Sequence, residues 1–357
     1  MIETARGALN LGQGDLGSLR SIEMSAPDFG EVVEIRPGLL WTRLALPMAM
    51  DHNNVYFIED DGGWAILDAG FGDQPTLEAW EALLAGPLSA MTFTRLFVTH
   101  AHYDHSGAAG WLCRRLGLPL WMNREEYLTS RLDTLQPSGG RSPELIVFLG
   151  SLGVPEADMA GAMDHAERFP AGITTLPRFY DAVEEGEVLL IGKRSFRCYF
   201  GPGHATAQLM LYCVEENWFF SADHILSIVA PLLIQSPLEP HGDFYGKYLR
   251  SLEKIEREIP VDALVLPGHD KPFIGLHAAI ASHRRHHLER IRLLLEKCAE
   301  RPQTIPELAP YLFPGTMNGR KMHYAVFEIL AYANRLQREG KIAWIREGGI
   351  WQIVSAV

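Results

Sequence analysis

The rhythm of apolar and polar residues changes several times along the chain, and each change marks an element. From residue 31 onward, β-branched and aromatic residues gather in short runs, "EVVEIRPGLLWTRLAL" and "NNVYFIEDDGGWAILDAG". The second predicts a hairpin, because Asp60, Asp61, Gly62 and Gly63 supply turn residues between two strand-like runs. "TLEAWEALLAG" carries helical spacing, and "TRLFVTH" is a short apolar strand running into a polar loop. "GAAGWLCRRLG" then predicts a helix and "PLWM" a strand. Strand, loop and helix in alternation predict an α/β layered domain whose site lies at strand ends.

From 122 to 185 the texture turns helical ("REEYLTSRLDTL", "SPELIVFLGSLG", "PEADMAGAMDHAERF"), broken by "QPSGGRSP", and reads as an insertion above the core. Its Met, Phe and Leu residues are expected to give the substrate pocket an apolar wall. Strands resume in "EVLLIGKRSFRCYF", "AQLMLYCVEENWFFSAD" and "VDALVLPGHD", and a long helix is expected over 276–300. The tail predicts helix ("TIPELAPYLF"), helix ("HYAVFEILAYANRLQREG") and hairpin ("KIAWIREGGIWQIV"), a winged-helix-like order. The expected domains are a flexible arm at 1–30, a catalytic domain at 31–299 and a small winged-helix-like domain at 300–357.

Composition narrows the class. With 357 residues, 47% hydrophobic and 21% charged, the chain matches an ordinary globular protein that buries a large core. No stretch reaches the roughly 18 consecutive apolar residues of a membrane helix, and the N-terminus shows no secretory pattern. Cys113, Cys198, Cys213 and Cys298 are scattered with no CxxC pair, which points to reduced thiols and a cytoplasmic setting. A net charge of -12 disfavours a large nucleic-acid footprint, since polyanions repel each other.

The chemistry concentrates in "VTHAHYDHSG", where His100, His102, Asp104 and His105 stand within six positions. Residues two apart on an extended segment point the same way, so His100 and His102 can reach one metal. The chain must then turn for Asp104 and His105 to serve a second centre. Four donors exceed what a three-ligand catalytic zinc needs and cannot close two sites, so more must come from elsewhere. Three polar residues stand where apolar strands emerge: His204 in "CYFGPGHATAQ", Asp223 in "WFFSADHIL" and His269 in "LVLPGHDKP".

HxHxDH, a later His in a GH turn, an Asp at a strand end and then "PGH" resemble the metallo-β-lactamase superfamily over about residues 31–275. The resemblance implies an αββα sandwich holding two divalent ions. His100, His102 and His204 would hold the first, Asp104, His105 and His269 the second, and Asp223 would bridge them. Asp68 in "AILDAG" matches the family's first motif, an acid that supports the loop rather than binding metal. Zinc suits mixed imidazole and carboxylate donors best, and iron or manganese accept the same set. Such a pair lowers the pKa of a shared water toward ~7, giving hydroxide at neutral pH. Asp104 or Asp223 is then the group that passes a proton to the leaving group.

The resulting expectation is hydrolysis of a small ester, thioester or lactone. Alternatives within the same resemblance are RNA or phosphodiester cleavage and sulfur oxidation at a single iron. Residues 301–357 carry seven Lys/Arg against four acids, a modest excess for gripping a polyanion. The tail therefore reads as a dimerisation or site-covering element, with a small molecule as substrate and no membrane partner. His52 and Tyr103 read as loop residues, with lining the site or donating to substrate as the alternative. His224 should point away from Asp223. His283, His286 and His287 read as the polar surface face of a helix, with bordering the pocket as the alternative, and Tyr245 and Tyr248 as helix packing.

Overall fold

The computed structural model describes residues 19–47, 50–135, 143–159, 172–315, 317 and 319–356. Two seven-stranded sheets carry the fold. The first runs, in spatial order, β2 (Val33–Arg36), β3 (Leu39–Ala45), β4 (His52–Asp60), β5 (Gly63–Leu67), β6 (Phe93–Val98), β7 (Leu120–Asn123) and β8 (Asp181–Val183). The second runs β1 (Arg20–Ser21), β14 (Phe273–Ile274), β13 (Leu264–Pro267), β12 (Trp218–Ala222), β11 (Gln208–Cys213), β10 (Arg194–Gly201) and β9 (Val188–Ile191). The β4–β5 hairpin turns where expected, and Gly62 takes the left-handed φ of 80° that glycine adopts without a steric penalty.

Side chains alternate across a strand, so each sheet has two faces to bury. Tyr56, Ile58 and Phe97 point between the sheets and meet Leu209, Leu211, Phe220 and Leu266. Their neighbours Val55, Phe57, Leu96 and Val98 face the other way. They are covered by α1 (Gln74–Ala85) and by α3 (Ala109–Leu116), which follows the short α2 (Tyr103–Ser106). Burial on both faces is why these strands read as nearly unbroken apolar runs rather than alternating ones.

The insertion proves to be anchored by strands at both ends, because β7 and β8 pair in parallel at the edge of the first sheet. Between them stand α4 (Arg124–Leu135) and α5 (Pro143–Ser151), helical as the pattern predicts. All of the breaker at 136–143 but Pro143, and all of the later helical pattern at 155–169 but its first five residues, lie outside the described residues.

On the outer face of the second sheet, Met210, Tyr212, Phe219 and Val265 pack against α6 (Phe244–Glu258) and α7 (Leu276–Glu300). The layers are therefore helices, sheet, sheet, helices, as the resemblance implied. The tail supplies α8 (Ile305–Leu312), α9 (Gly319–Arg338) and a two-stranded sheet of β15 (Ile342–Glu347) and β16 (Ile350–Ser355). A capping box between Thr304 and Glu307 starts α8. Leu308, Val326, Leu330 and Ile353 of the tail share one hydrophobic cluster with Leu252 of α6 and Leu294 of α7.

Two expectations need correction. Residues 1–18 of the expected arm lie outside the described residues, but Arg20 and Ser21 pair with Ile274 and Phe273 at a sheet edge. A two-residue edge strand needs only backbone groups and leaves no side-chain rhythm to read. His283 and His287 are buried, 1% and 0% exposed, rather than on a surface face. His283 Nε2 lies 3.0 Å from the Leu226 carbonyl and its Nδ1 faces the Tyr248 hydroxyl of α6, while the tail helix α9 brings the Tyr332 hydroxyl to 2.7 Å from His287 Nδ1. Among the described residues no helix is long and apolar enough to cross a membrane.

Candidate metal centre

Strand ends build the site. The parallel pairs β5–β6 and β12–β13 deliver Asp68, Thr99, Asp223 and the His269 turn to one edge of the sandwich. After β6 the chain stays extended through His102 (φ -58°, ψ 143°), the N-cap of α2. His100 and His102 thus project to one side before the helical turn carries Asp104 and His105 round, the change of direction the spacing requires.

The donor atoms converge in groups. His100 Nε2 and His102 Nδ1 are 3.0 Å apart, and the His204 ring lies 4.5 Å from that of His102. His269 Nε2 is 3.3 Å from Asp104 Oδ2, and His105 Nε2 is 3.7 Å from the same oxygen. Asp223 stands between: its Oδ2 is 3.4 Å from His204 Nε2 and 3.2 Å from His269 Nε2, and its Oδ1 is 3.5 Å from His105 Nε2. One donor atom from each of His100, His102 and His204 lies within 4.8 Å of the others, and the same holds for Asp104, His105 and His269. All seven sequence-predicted residues meet.

The back sides of the rings are tied down. His105 Nδ1 donates to Asp68 Oδ2 at 2.8 Å, His204 Nδ1 to the Leu232 carbonyl at 3.0 Å and His269 Nδ1 to the His52 carbonyl at 2.6 Å. Thr99 hands its hydroxyl proton to Asp68 and accepts from His100 Nδ1 at 2.9 Å. These bonds leave the Nε2 lone pairs of His100, His105, His204 and His269 aimed at the centre, whereas His102 turns its Nδ1 inward.

Whether cations fit can be read from what the centre leaves unbonded. His105 Nε2, His204 Nε2 and Asp223 Oδ1 are buried with no hydrogen-bond partner, a rare and costly state for polar atoms. Tetrahedral bonds of ~2.1 Å put neighbouring donors ~3.4 Å apart, which is the spacing found here. The donor set fits a pair of divalent ions. Charge agrees: burial pushes His102 down to about 3, and burial with adjacent imidazoles lowers His100 as well, so both are neutral donors. Burial would also lower His105 and His269, but Asp223 and Asp104 outweigh it and carry His269 up to about 10. The two carboxylates, held low by these imidazoles despite their own burial, thus call for positive charge.

Backbone strain frames the centre. Asp68, Ala222 and Asp270 adopt φ of 67°, 44° and 65°, unusual for residues with a side chain, and each adjoins or supports a donor. Gly268 has no room for anything larger, because a Cβ would lie 2.2 Å from Asp223 Oδ1.

Several contributors were not singled out from sequence. Glu126 of α4 is 1% exposed and accepts from the backbone of Ala101 at 2.8 Å and Ala207 at 2.6 Å, binding the His100 loop to the His204 loop. Asn54 donates to the carbonyls of Pro267 and Asp270, and Tyr56 to Pro267, clamping the His269 turn from the first sheet. The polar pair in "NNVYF" at the start of an apolar strand was a readable signal for Asn54; nothing marked Glu126. His52 lies beside the site, its ring 6.4 Å from that of His269. His224 turns away to meet Ser251 at 2.6 Å. Burial, with the Asp133 carboxylate of α4 nearby, raises the Tyr103 hydroxyl.

The sandwich and the convergent donors define a metallo-β-lactamase-fold hydrolase. The chain belongs to that superfamily: the model of the metallo-beta-lactamase superfamily matches residues 50–269. Among characterised proteins it is similar to the acyl-coenzyme A thioesterase MBLAC2 of Gallus gallus, 24% identical over 253 residues, which span 70% of this chain and 84% of that protein. The Bos taurus protein of the same name is 22% identical over 262 residues, again 70% of this chain and 84% of the relative. A solved beta-lactamase domain protein from Burkholderia ambifaria superposes with a TM-score of 0.86 at 28% identity, covering 94% of this chain and 98% of its own. The metallo-beta-lactamase family protein TTHA1429 from Thermus thermophilus gives 0.76 at 23%, covering 90% and 100%. Coverage this high reaches into the tail.

Proposed function

We propose that the chain is a metal-dependent thioesterase, separating an acyl group from a thiol carrier of the coenzyme A type. The observation behind the hydrolytic half is the set of buried, unbonded donors His105 Nε2, His204 Nε2 and Asp223 Oδ1 facing one centre. The thioester half draws on the likeness to MBLAC2. Small esters and lactones, with the same electrophilic carbonyl, are the neighbouring substrates. In this reading His100, His102 and His204 would hold one divalent ion and Asp104, His105 and His269 the other, with Asp223 available to either; zinc would be the first choice for these donors. Bound there, the ions supply the Lewis acidity that makes water nucleophilic at neutral pH.

The chain's own residues complete the reaction. Asp68, Thr99 and the Leu232 and His52 carbonyls keep the imidazoles aimed. Asp104 or Asp223 takes the proton that the attacking water gives up and returns it to the departing sulfur, so thioester and water become acid and thiol. The tail acts as a cover: Tyr324 of α9 lies close enough to Tyr103 to perturb it.

The test is thiol release from acetyl-coenzyme A by protein of measured metal content. Substituting His100→Ala with His102→Ala should remove metal and turnover together. Full activity in a metal-free double variant refutes the proposal.

A further inference from the structure

A cleft of about 340 Å³ opens between α5, α9 and the β15–β16 sheet, apart from the ligand loops. Its size, its aromatic lining and its place where tail and insertion meet are those of a small-molecule site. Trp344 and Trp351 line it together with Leu330, and His241, Asn334 and Gln337 add polar groups. Trp344 stands opposite Ile353 and Trp351 opposite Arg346, so both indoles share one face of the two-stranded sheet. Asn334 directs its amide nitrogen to the carbonyls of Pro240 and Gly242 and to Gln235, which fixes its orientation and leaves Oδ1 as an acceptor. The Gln337 amide makes no side-chain hydrogen bond among the described residues.

Two cations flank the cleft. Arg346 lies over the Trp351 ring at 5.5 Å, and Arg338 donates to the His241 carbonyl at 2.8 Å. Neither has a carboxylate partner among the described residues, whereas Arg335 and Lys341 are both occupied by Glu339.

We propose that this cleft holds the adenosine nucleotide end of a coenzyme A thioester while the thioester carbon lies at the ligand loops; the inference rests on the thioesterase reading. Indole faces stack a planar base regardless of its edge. An amide pair matches the donor and acceptor edge of adenine, and guanidinium groups bonded only to backbone carbonyls keep N–H donors and an unneutralised charge for phosphate. An acyl chain would use the indoles and leave the amides and arginines without a purpose.

The span also agrees. Tyr324 of α9 is within electrostatic reach of Tyr103 in the His100–His105 loop, and Leu330 and Gln337 follow ~9 Å and ~20 Å further along the helix. The arm of coenzyme A between sulfur and the first phosphate is a chain of about 13 bonds, roughly 15 Å long at the reach of an extended amide backbone.

The whole 357-residue chain, loaded with zinc, tests this with acetyl-coenzyme A and acetyl-pantetheine, which share the scissile bond and differ by the nucleotide. Adenosine 3′,5′-bisphosphate should quench tryptophan fluorescence saturably and inhibit hydrolysis of acetyl-coenzyme A far more than that of acetyl-pantetheine. Trp351→Ala should raise KM for acetyl-coenzyme A about tenfold or more, with kcat and both constants for acetyl-pantetheine unchanged. Gln337→Glu, an exposed substitution that leaves the fold intact, should move KM in the same direction.

The proposal is overturned if the bisphosphate does not quench, or if the substitutions affect both substrates alike. It is also overturned if Trp351→Ala abolishes a preference for octanoyl- over acetyl-pantetheine, since the cleft would then hold the acyl chain. Failure to hydrolyse either thioester sinks the thioesterase reading instead, and the bisphosphate titration then decides nucleotide binding by itself.

Discussion

Asp68→Asn isolates what the carboxylate behind His105 contributes. Asp68 is 3% exposed, receives the Thr99 amide at 2.8 Å on Oδ1, and on Oδ2 receives the Thr99 hydroxyl at 2.9 Å and His105 Nδ1 at 2.8 Å. Asparagine keeps the shape and the Oδ1 acceptor but sets an NH2 group against His105 Nδ1. Two donors cannot face each other, so the imidazole shifts its proton to Nε2, the atom that must offer a lone pair to the centre. Losing a carboxylate behind a metal-bound histidine costs about 10–100-fold in metal affinity, or about 1.4–2.7 kcal/mol. The loss should fall chiefly on the ion shared by Asp104, His105 and His269, because residue 68 faces His105 directly and reaches His100 only through the Thr99 hydroxyl. Competition with a chelator of known affinity, followed by metal analysis, separates the two sites, and circular dichroism confirms that the variant is folded. Unchanged affinity at both sites, or equal weakening of both, would show that Asp68 does not set the His105 tautomer.

The remaining predictions probe the frame around the donors. Gly268→Ala places a Cβ 2.2 Å from Asp223 Oδ1 and 2.8 Å from His105 Cε1, so ligands must move and kcat should fall about 100-fold. Wild-type turnover would mean the turn can yield without cost. Glu126→Gln turns one acceptor into a donor facing a buried backbone N–H and should cost about 1–3 kcal/mol, read from urea unfolding; an unchanged midpoint rejects the clasp. Glu328, 0% exposed, is raised by burial but lowered more strongly by Arg290 and His287, to about 2. A carboxylate depressed in the folded state adds stability above its unfolded value near 4.5 and loses it as pH falls toward 2, at most about 3 kcal/mol. The stability gap between wild type and Glu328→Gln should therefore be full at pH 7 and shrink below pH 4.5, and a pH-independent gap contradicts the ion-pair account.

How much of this was legible in the sequence depends on whether a residue's role is local. His100, His102, Asp104 and His105 announce themselves because four donors share one loop, and a period of two on extended chain fixes their direction before any fold is known. His204, Asp223 and His269 were readable at one remove, each a polar residue where an apolar run stops, which in a layered α/β fold means the edge that holds the site. Glu126 was illegible: its partners, Ala101 and Ala207, are backbone groups 25 and 81 residues away, and no pattern in sequence encodes an acceptor for two distant N–H groups. The same blindness misplaced His283 and His287. Judged on its own helix, "SHRRHHLER" is polar enough to face water; His283 is satisfied by the Leu226 carbonyl and the Tyr248 hydroxyl, and His287 by Tyr332 and Glu328 of the later α9. The tail is therefore part of the physics of the catalytic half. Its helix buries polar groups of α7 that would otherwise need solvent, so removing residues 301–357 should expose His287 and Arg290 together rather than release an independent module.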